Sequence, residues 1–374
     1  MAKSKLKAGK LALKNNILDS LQDAVILVDT NREVIGYNLA ANSIMPENSR
    51  GKDLSYSFDD AELLIAIDRA LKNGPPATHE ITFPFPLGRT YEIAITSLAN
   101  EVEEKSGMML AMHDITSIRN SERIRADFVA NVSHELRSPL TSLMGFIETL
   151  QGPAKDHPTR QQDFLDIMAE ESKRMALLVD DLLSLSLVEA HEHEIPDGNV
   201  TSAEFVNPVV ERLRIRAQKN KMTISVVSEE NEFLIRGDFS QLSQVVENLI
   251  DNAIKYGDEG SQVDVLIKLV TGALDVDYSA LAISIKNQGS VIADEDIPRL
   301  TERFYRVDKA RSQAIGGTGL GLAIVKHIIN RHRGKLSISS VLNKGTVFTA
   351  YIPLQNNPGN TTLGYSGKKL GMGL

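Results

Sequence analysis

Residues 125–150 read RADFVANVSHELRSPLTSLMGFIETL, and they lie inside a run whose apolar residues recur every three or four positions from Ile124 to Leu150. A second run, from Phe164 to Leu185, repeats this spacing. The pattern predicts two long antiparallel helices joined by a turn around residues 152–158. Because a single hairpin cannot bury both apolar stripes, we expect two hairpins to pair as a four-helix bundle, and the chain to be a homodimer.

The first predicted helix contains the run SHELRSP at residues 133–139. His134 lies two residues before Leu136, about 200° around the helix, and should face away from the apolar stripe. An exposed imidazole beside a carboxylate is a candidate nucleophile, since Glu135 can bond one ring nitrogen and make the other more nucleophilic. A solvated histidine without function is the alternative. Pro139 removes a backbone donor and predicts a bend in the helix.

Residues 16–117 have a mixed pattern of short apolar runs and one helical segment. Residues 61–72 have helical periodicity and are followed by the helix-terminating sequence NGPP. The strand-like runs are residues 24–29, 33–37, 79–85, 89–97 and 108–114. This order predicts a small α+β domain.

The remaining segments complete a multidomain α+β organisation. Residues 195–354 alternate strands and helices over a length sufficient for an independent core. Residues 355–374 are rich in Gly and Asn, which predicts a flexible tail. Residues 1–15 form a basic segment with five lysines and no acidic residue. A solvated helical lead-in and a peripheral contact with anionic membrane lipid are the two interpretations of this segment.

Composition excludes several classes of protein. The 374 residues include 49 acidic and 41 basic ones, a net charge of −8, which argues against a nucleic-acid-binding protein. An apolar content of 42% with 24% charged residues predicts a folded globular chain. The absence of cysteine excludes disulfides, thiolate metal sites and a cysteine nucleophile. No apolar stretch is long enough for a transmembrane helix, and no secretory signal is recognisable, so we expect a cytoplasmic protein.

A second candidate site lies in NLIDNAIKY, residues 248–256. Asn248, Asn252 and Lys255 share one helix face at i, i+4 and i+7. Two amide oxygens and an ammonium suit a hydrated Mg²⁺ bound to polyphosphate, because Mg²⁺ prefers hard oxygen ligands and retains water. The alternative is a solvated polar stripe.

A third candidate site is the glycine-rich run GGTGLG at residues 316–321, which leads into a predicted helix. Backbone N–H groups and the positive end of a helix dipole are suited to phosphate. The run does not fit the P-loop pattern. Basic residues that could neutralise phosphate charge precede it on a predicted mobile lid: Arg303, Arg306, Lys309 and Arg311.

In order and spacing, these three segments resemble the sensor histidine kinases of two-component signalling, and most closely the phosphate-regulon sensor kinases. The resemblance covers residues 118–354. It implies a dimerisation and histidine phosphotransfer hairpin over 118–190 and a Bergerat-type α/β-sandwich ATP-binding domain over 195–354. The segment 16–117, which ends in Asp114-Ile115-Thr116, resembles a PAS domain.

The resemblance implies ATP-dependent phosphorylation of His134, with Glu135 as its acid/base partner, and transfer to an aspartate on a response-regulator receiver domain. Ser138 matches the position that orients water for dephosphorylating that partner. Mg²⁺ is assigned to Asn252 and Asn248. The nucleotide site is assigned to Asn248, Asn252, Lys255, Tyr256, Asn287, Gly289, Phe304, Tyr305, Arg306, Gly317, Thr318, Gly319, Leu320 and Gly321.

The chain departs from the family pattern at two places. The family's Asp-x-Gly-x-Gly reads NQGSV at residues 287–291. Asn287 keeps one carbonyl acceptor for the adenine amino group but lacks the charge, which predicts roughly 5–30-fold weaker nucleotide binding. Val291 adds a β-branched side chain where glycine is usual. Ser138 replaces Thr or Asn but retains a hydroxyl.

These departures favour one alternative function, a non-catalytic phosphotransfer or phosphatase scaffold with a degenerate nucleotide site. A chaperone-like or topoisomerase-like ATPase is disfavoured, because such enzymes usually have a general-base glutamate where Asn248 stands, and they do not need His134.

Overall fold

A computed structural model of the chain describes residues 17–72, 75–83, 88–98, 107–154, 157–229, 232–271, 279–308 and 317–354. The chain divides into two compact units, Met1–Ala130 and Asn131–Leu374. The basic segment 1–15 and the tail 355–374 lie outside the described residues, so the predictions for them stay predictions. Within the described ranges, no helix has the length and apolar character needed to cross a membrane.

The N-terminal unit is built on a five-stranded antiparallel sheet with the order β2-β1-β5-β4-β3. Its core is formed by the apolar faces of these strands and of helix α1, including Ile26, Leu63, Ile67, Ile93 and Leu110. The elements are β1 (Ala24–Val28), β2 (Val34–Tyr37), α1 (Ala61–Leu71), β3 (Ala77–Thr82), β4 (Thr90–Leu98) and β5 (Gly107–Asp114).

The sequence-based assignment of this unit is confirmed in element type and order, with small shifts at the ends. Helix α1 begins where Asp60 caps it, by accepting a hydrogen bond from the Leu63 N–H, and ends at Leu71. The third strand was predicted for 79–85. It begins earlier, at Ala77, directly after Pro75-Pro76, and ends at Thr82. Proline has no N–H for a sheet, and the strand begins at the first residue after it.

Two long helices follow, and the first of them begins in the N-terminal unit and continues into the second. Helix α2 runs over Thr116–Gln151 and continues through Pro139, and α3 runs over Pro158–Ala190. The Phe146 and Phe164 rings lie 5.5 Å apart, and the Glu135 and Arg174 side chains are 3.8 Å apart. Residues later in α2 therefore contact residues earlier in α3. The two helices are antiparallel, which confirms the predicted hairpin.

The rest of this unit is an α/β sandwich on a five-stranded sheet of order β11-β12-β10-β9-β7, in which only the β7–β9 pair is parallel. Helix α5 packs against both α4 and α6, and the three helices pack against the sheet. The elements are β6 (Asn199–Thr201), α4 (Ser202–Lys219), β7 (Thr223–Ser228), β8 (Leu234–Arg236), α5 (Phe239–Tyr256), β9 (Gln262–Val270), β10 (Ala280–Asn287), α6 (Gly321–Arg331), β11 (Lys335–Val341) and β12 (Gly345–Pro353).

Candidate functional site

Helix α5 positions the polar face predicted from the sequence. Asp238 caps its start by accepting a hydrogen bond from the Gln241 N–H at 3.0 Å. One face of the helix is buried through residues such as Leu242, Val246 and Leu249. The opposite face is therefore held toward a cavity, and it includes Asn248, Asn252 and Lys255.

The cavity has a volume of about 570 Å³, which is within the usual range for a small-molecule site. Eleven of the predicted nucleotide residues line it: Asn248, Asn252, Lys255, Tyr256, Asn287, Tyr305, Arg306, Gly317, Thr318, Gly319 and Gly321. Folding thus brings the asparagine helix α5, the end of β10 and the glycine-rich segment before α6 to one place. The polar stripe on α5 is therefore part of a concave site, not a solvated face.

The cationic side of the cavity has a defined charge arrangement. The Lys255 ammonium lies 2.8 Å from the Asp251 carboxylate, and the Arg216 guanidinium lies 2.5 Å from the other oxygen of the same carboxylate. Two cations share one anion, so the group carries a net positive charge. This is suited to a polyphosphate ligand.

The amide of Asn248 connects α5 to the glycine-rich segment. Its Nδ2 donates to the Gly321 carbonyl at 3.4 Å, so Oδ1 is the atom left to accept a hydrogen bond or bind a cation. A Cβ at residue 321 would come within 3.5 Å of that oxygen. Gly319 has a φ of +74°, and a Cβ there would lie 2.9 Å from the Phe304 Cα. Glycine is therefore required at 319 by backbone conformation and by close approach.

Thr318 connects the glycine-rich segment to the helical hairpin. Its hydroxyl donates to Asp181 Oδ2 of α3 at 2.7 Å and accepts from the Leu320 N–H at 3.3 Å. Burial raises the pKa of Asp181, while the Thr318 hydrogen bond and the nearby Lys255 oppose that rise.

Three predicted residues do not line the cavity but support it. Leu320 is fully buried and precedes α6. The Phe304 N–H donates to the Gly319 carbonyl at 2.9 Å. A Cβ at Gly289 would lie 2.3 Å from the Tyr256 carbonyl oxygen, so glycine allows the end of β10 to approach the end of α5.

The first departure from the family pattern is at the cavity wall. Asn287 ends β10 and is 4% exposed, and Val291 lies further along the wall at 43% exposure. Neither side chain closes the cavity. The space predicted for a nucleotide is therefore present despite both substitutions.

His134 is exposed on α2, as predicted from its position relative to the apolar stripe, and Ser138 is exposed on the same helix. The neighbouring Glu135 carboxylate lies 3.8 Å from Arg174 of α3 and 3.8 Å from Arg306. The Arg306 side chain also donates to the Gly317 carbonyl. Arg306 thus touches both the cavity and the residue adjacent to His134.

The predicted basic lid divides into two parts. Arg303 pairs with Glu189 of α3 at 2.6 Å and is absent from the cavity lining, in contrast to Arg306. Lys309 and Arg311 lie outside the described residues, as does Gly316. Of the two described arginines, only Arg306 is placed to neutralise a ligand in the cavity.

The α/β sandwich also contacts Glu192, two residues after the end of α3. Its carboxylate bonds His327 Nδ1 at 2.8 Å and accepts from the Asn330 amide at 2.9 Å. Burial alone would raise the pKa of Glu192, but these two hydrogen bonds, together with the nearby His327 and His193 rings, outweigh burial and hold that pKa below its ordinary value. Among the residues described, no group of acidic and histidine side chains has metal-site geometry.

Sequence reasoning missed several lining residues. Arg216 comes from α4, and Leu177 and Asp181 come from α3. Each lies on a helix whose local pattern indicates only packing, and no motif marks them. For Asp181 the sequence offers one weak signal. It is a charged residue directly beside Leu182 of the second apolar stripe, which could have suggested a contact with a neighbouring domain.

Two family models match the chain. The "His Kinase A (phospho-acceptor) domain" matches residues 124–191, and the "Histidine kinase-, DNA gyrase B-, and HSP90-like ATPase" matches residues 237–356. The first model covers the hairpin with His134, and the second covers the cavity from α5 to the end of the sheet.

Curated relatives include the phosphate regulon sensor protein PhoR of Pseudomonas aeruginosa, 33% identical over 345 residues, which cover 89% of this chain and 72% of the relative. The sensor protein kinase WalK of Staphylococcus saprophyticus is 35% identical over 263 residues, 70% of this chain. The sensor histidine kinase WalK of Bacillus subtilis is 29% identical, with 90% of this chain covered. The chain spans only 42% of the Staphylococcus saprophyticus WalK and 54% of the Bacillus subtilis WalK.

Two solved structures are similar. The Acinetobacter baumannii histidine kinase AdeS is 26% identical, with a TM-score of 0.46 over 60% of this chain and 98% of that chain. Histidine kinase ThkA in complex with response regulator protein TrrA is 21% identical, with a TM-score of 0.49 over 90% of this chain and 97% of that chain.

Proposed function

The chain belongs to the sensor histidine kinases, and we propose that it transfers the terminal phosphoryl group of ATP to its own His134. One observation supports this most directly. Arg306 lines the nucleotide-sized cavity and lies 3.8 Å from Glu135, the residue next to the exposed His134. The phosphate-binding end of the cavity and the acceptor histidine are therefore parts of one compact unit.

In the proposed reaction a ring nitrogen of His134 attacks the terminal phosphorus of ATP. A P–N bond forms, the bond from that phosphorus to its bridging oxygen breaks, and ADP leaves. Glu135 accepts the hydrogen bond of the other ring nitrogen and stabilises the positive charge that develops on the imidazole. Lys255 and Arg306 offset phosphate charge, so catalysis is mainly positioning and electrostatics.

The residues present fit Mg²⁺ as the accompanying cation. Asn252 lines the cavity, and Asn248 uses its amide nitrogen toward Gly321, which leaves an oxygen for a hard cation. When bound there, Mg²⁺ would neutralise phosphate charge and orient the polyphosphate. The chain's own part is to present these oxygens from one face of α5.

We propose a homodimer through the hairpin. In a single copy, several apolar side chains of α2 and α3 remain exposed, including Leu140, Met144, Ile147, Leu165 and Leu183. A second hairpin would cover them in a four-helix bundle.

The partner we propose is the receiver domain of a response regulator, whose aspartate would take the phosphoryl group from His134. The exposed hydroxyl of Ser138 on the same helix would orient water when the partner is dephosphorylated.

We propose that the N-terminal unit is a PAS-like sensor. Its five-stranded antiparallel sheet with helix α1 packed on the core supports this assignment. Helix α2 begins at Thr116, two residues after β5, so a signal would reach the hairpin as a change in the packing of this helix.

Incubation of the chain with terminally labelled ATP and Mg²⁺ tests the function. We expect acid-labile, base-stable phosphate on the chain, lost in His134→Ala and retained in His193→Ala, a matched change at another exposed histidine.

Each contrary result identifies another function. Neither label nor nucleotide binding at millimolar concentration would indicate the scaffold with a degenerate site. Steady ATP hydrolysis without phosphoprotein would indicate an ATPase. Label that persists in His134→Ala would place the acceptor elsewhere.

A further inference from the structure

Asp181 brings a carboxylate from the helical hairpin into the wall of the nucleotide cavity. Its Oδ2 accepts the hydroxyl hydrogen of Thr318 at 2.7 Å, and the residue lines the cavity together with Asn252 and Lys255. Asp181 takes no part in the proposed transfer to His134. Its position therefore needs a separate explanation.

The place that this carboxylate occupies is suited to phosphate. Thr318 belongs to the glycine-rich segment, and its hydroxyl also accepts the Leu320 N–H just before α6 begins. The positive end of the helix dipole, the Thr318 hydroxyl and the nearby Lys255 all favour an anion here. Asp181 is the anion that the folded chain itself supplies.

We propose that Asp181 makes the cavity distinguish nucleoside diphosphate from nucleoside triphosphate. Its carboxylate competes with the terminal phosphate of a triphosphate for Thr318 and Lys255, whereas a diphosphate leaves the Asp181–Thr318 hydrogen bond in place. This inference rests on the proposed function, because it requires the cavity to bind nucleotide.

A mechanical consequence follows from the origin of the two residues. Asp181 belongs to α3 and Thr318 to the segment before α6. Their hydrogen bond therefore joins the hairpin to the α/β sandwich, the part that contains the nucleotide cavity. Binding of a triphosphate breaks that bond and loosens this part from α3. Binding of a diphosphate preserves it.

Calorimetric titration of the full chain with ADP and with β,γ-imido ATP, each with Mg²⁺, tests the proposal. The analogue retains the terminal phosphate but resists transfer. The variants are Asp181→Ala, which removes the side chain, and Asp181→Asn, which keeps its shape and removes its charge. Asp180→Ala is the matched control, since Asp180 is the exposed neighbour with the same charge.

We expect both Asp181 variants to bind the analogue about tenfold more tightly, because a like charge within hydrogen-bond distance of the anion site is gone. Affinity for ADP should change less than about threefold, and Asp180→Ala should change neither affinity by more than about twofold, because its charge is solvent-screened.

An unchanged ratio of the two affinities would overturn the proposal, as would weaker binding of the analogue by Asp181→Ala. The same holds if Asp181→Asn behaves like the unaltered chain, since loss of charge alone would then have no effect. If neither nucleotide binds the unaltered chain or any variant, the proposed function fails together with this inference.

Discussion

Asn287 stands in the nucleotide cavity where the family pattern has an aspartate. It is 4% exposed at the end of β10 and lines the cavity. We propose that this amide offers one neutral acceptor to the adenine amino group, where the family's carboxylate offers a charged one. The substitution would therefore weaken binding of the base without closing the space for it.

We expect Asn287→Asp to tighten ATP binding roughly 5–30-fold, since a charge-assisted hydrogen bond replaces a neutral one. Titration with ATP and with GTP measures the effect. The 6-oxo group of guanine cannot donate to a carboxylate, so GTP is the control and should gain nothing. Equal gains in affinity for both nucleotides, or no gain for ATP, would show that residue 287 does not contact the amino group of adenine.

His332 shows how one buried ring joins the ends of two helices. It lies at the end of α6, where its Nδ1–H donates to the Ile328 carbonyl at 2.8 Å. Its Nε2 accepts the N–H of Asp238, the residue that caps α5, at 3.1 Å. These two bonds require the neutral ring with its proton on Nδ1. Burial lowers the pKa of His332 from its ordinary value of 6.5.

We expect the second unit to lose stability as the pH falls below about 6.5, the ordinary histidine value. The unfolded chain binds the proton more tightly than the folded chain, so the stabilisation is complete above that value and is lost as the pH falls through the lowered pKa. Urea midpoints between pH 8 and 5 measure it by circular dichroism.

In His332→Gln the pH dependence should be weaker, although the midpoint itself is lower. The exposed His193→Gln should keep the slope of the unaltered chain. An identical slope in His332→Gln would assign the pH dependence to other groups.

The proposed dimer would cover an apolar face of the hairpin. Leu140, Met144 and Ile147 follow one another on a single face of α2 and are 51%, 56% and 42% exposed. Fully burying such a side chain contributes about 1.5–3 kcal/mol. Because these side chains are already about half buried, each contributes only part of that amount, and their sum over both hairpins favours association.

We expect Met144→Lys to convert a dimer into a monomer, because a charge would be buried in the apolar interface. Light scattering should show a mass near 41.1 kDa for the variant and twice that for the unaltered chain. Leu342→Lys is the control, since Leu342 is 70% exposed in the turn between β11 and β12 and should leave the dimer intact. A monomeric unaltered chain would contradict the four-helix bundle.

Polar contacts attach the α/β sandwich to α3 and to the residues that directly follow it. They include Thr318 to Asp181, Arg303 to Glu189 and His327 to Glu192. Hydrogen bonds and ion pairs of this kind contribute little net free energy where solvent can replace them. A ligand that competes for one of these polar contacts would therefore weaken the attachment.

Much of the fold follows from local pattern. The apolar periods of α2 and α3 predicted the hairpin, and the exposure of His134 followed from its angle to Leu136. Asn248, Asn252 and Lys255 were placed on one face because a helix repeats every 3.6 residues. Strand ends were less accurate, as β3 shows, because pairing with β4 decides which residues extend the sheet.

The amino-acid sequence by itself determined most of the elements, their order, the exposure of His134 and the glycine-rich segment before α6, because helical periodicity and backbone conformation are short-range properties. Only the tertiary structure decided that Leu320 and Gly289 support the cavity from behind, that Arg303 faces α3, and that Asp181 enters the cavity. These placements join residues far apart in the chain, and they depend on how helices and sheet pack, which no local spacing encodes.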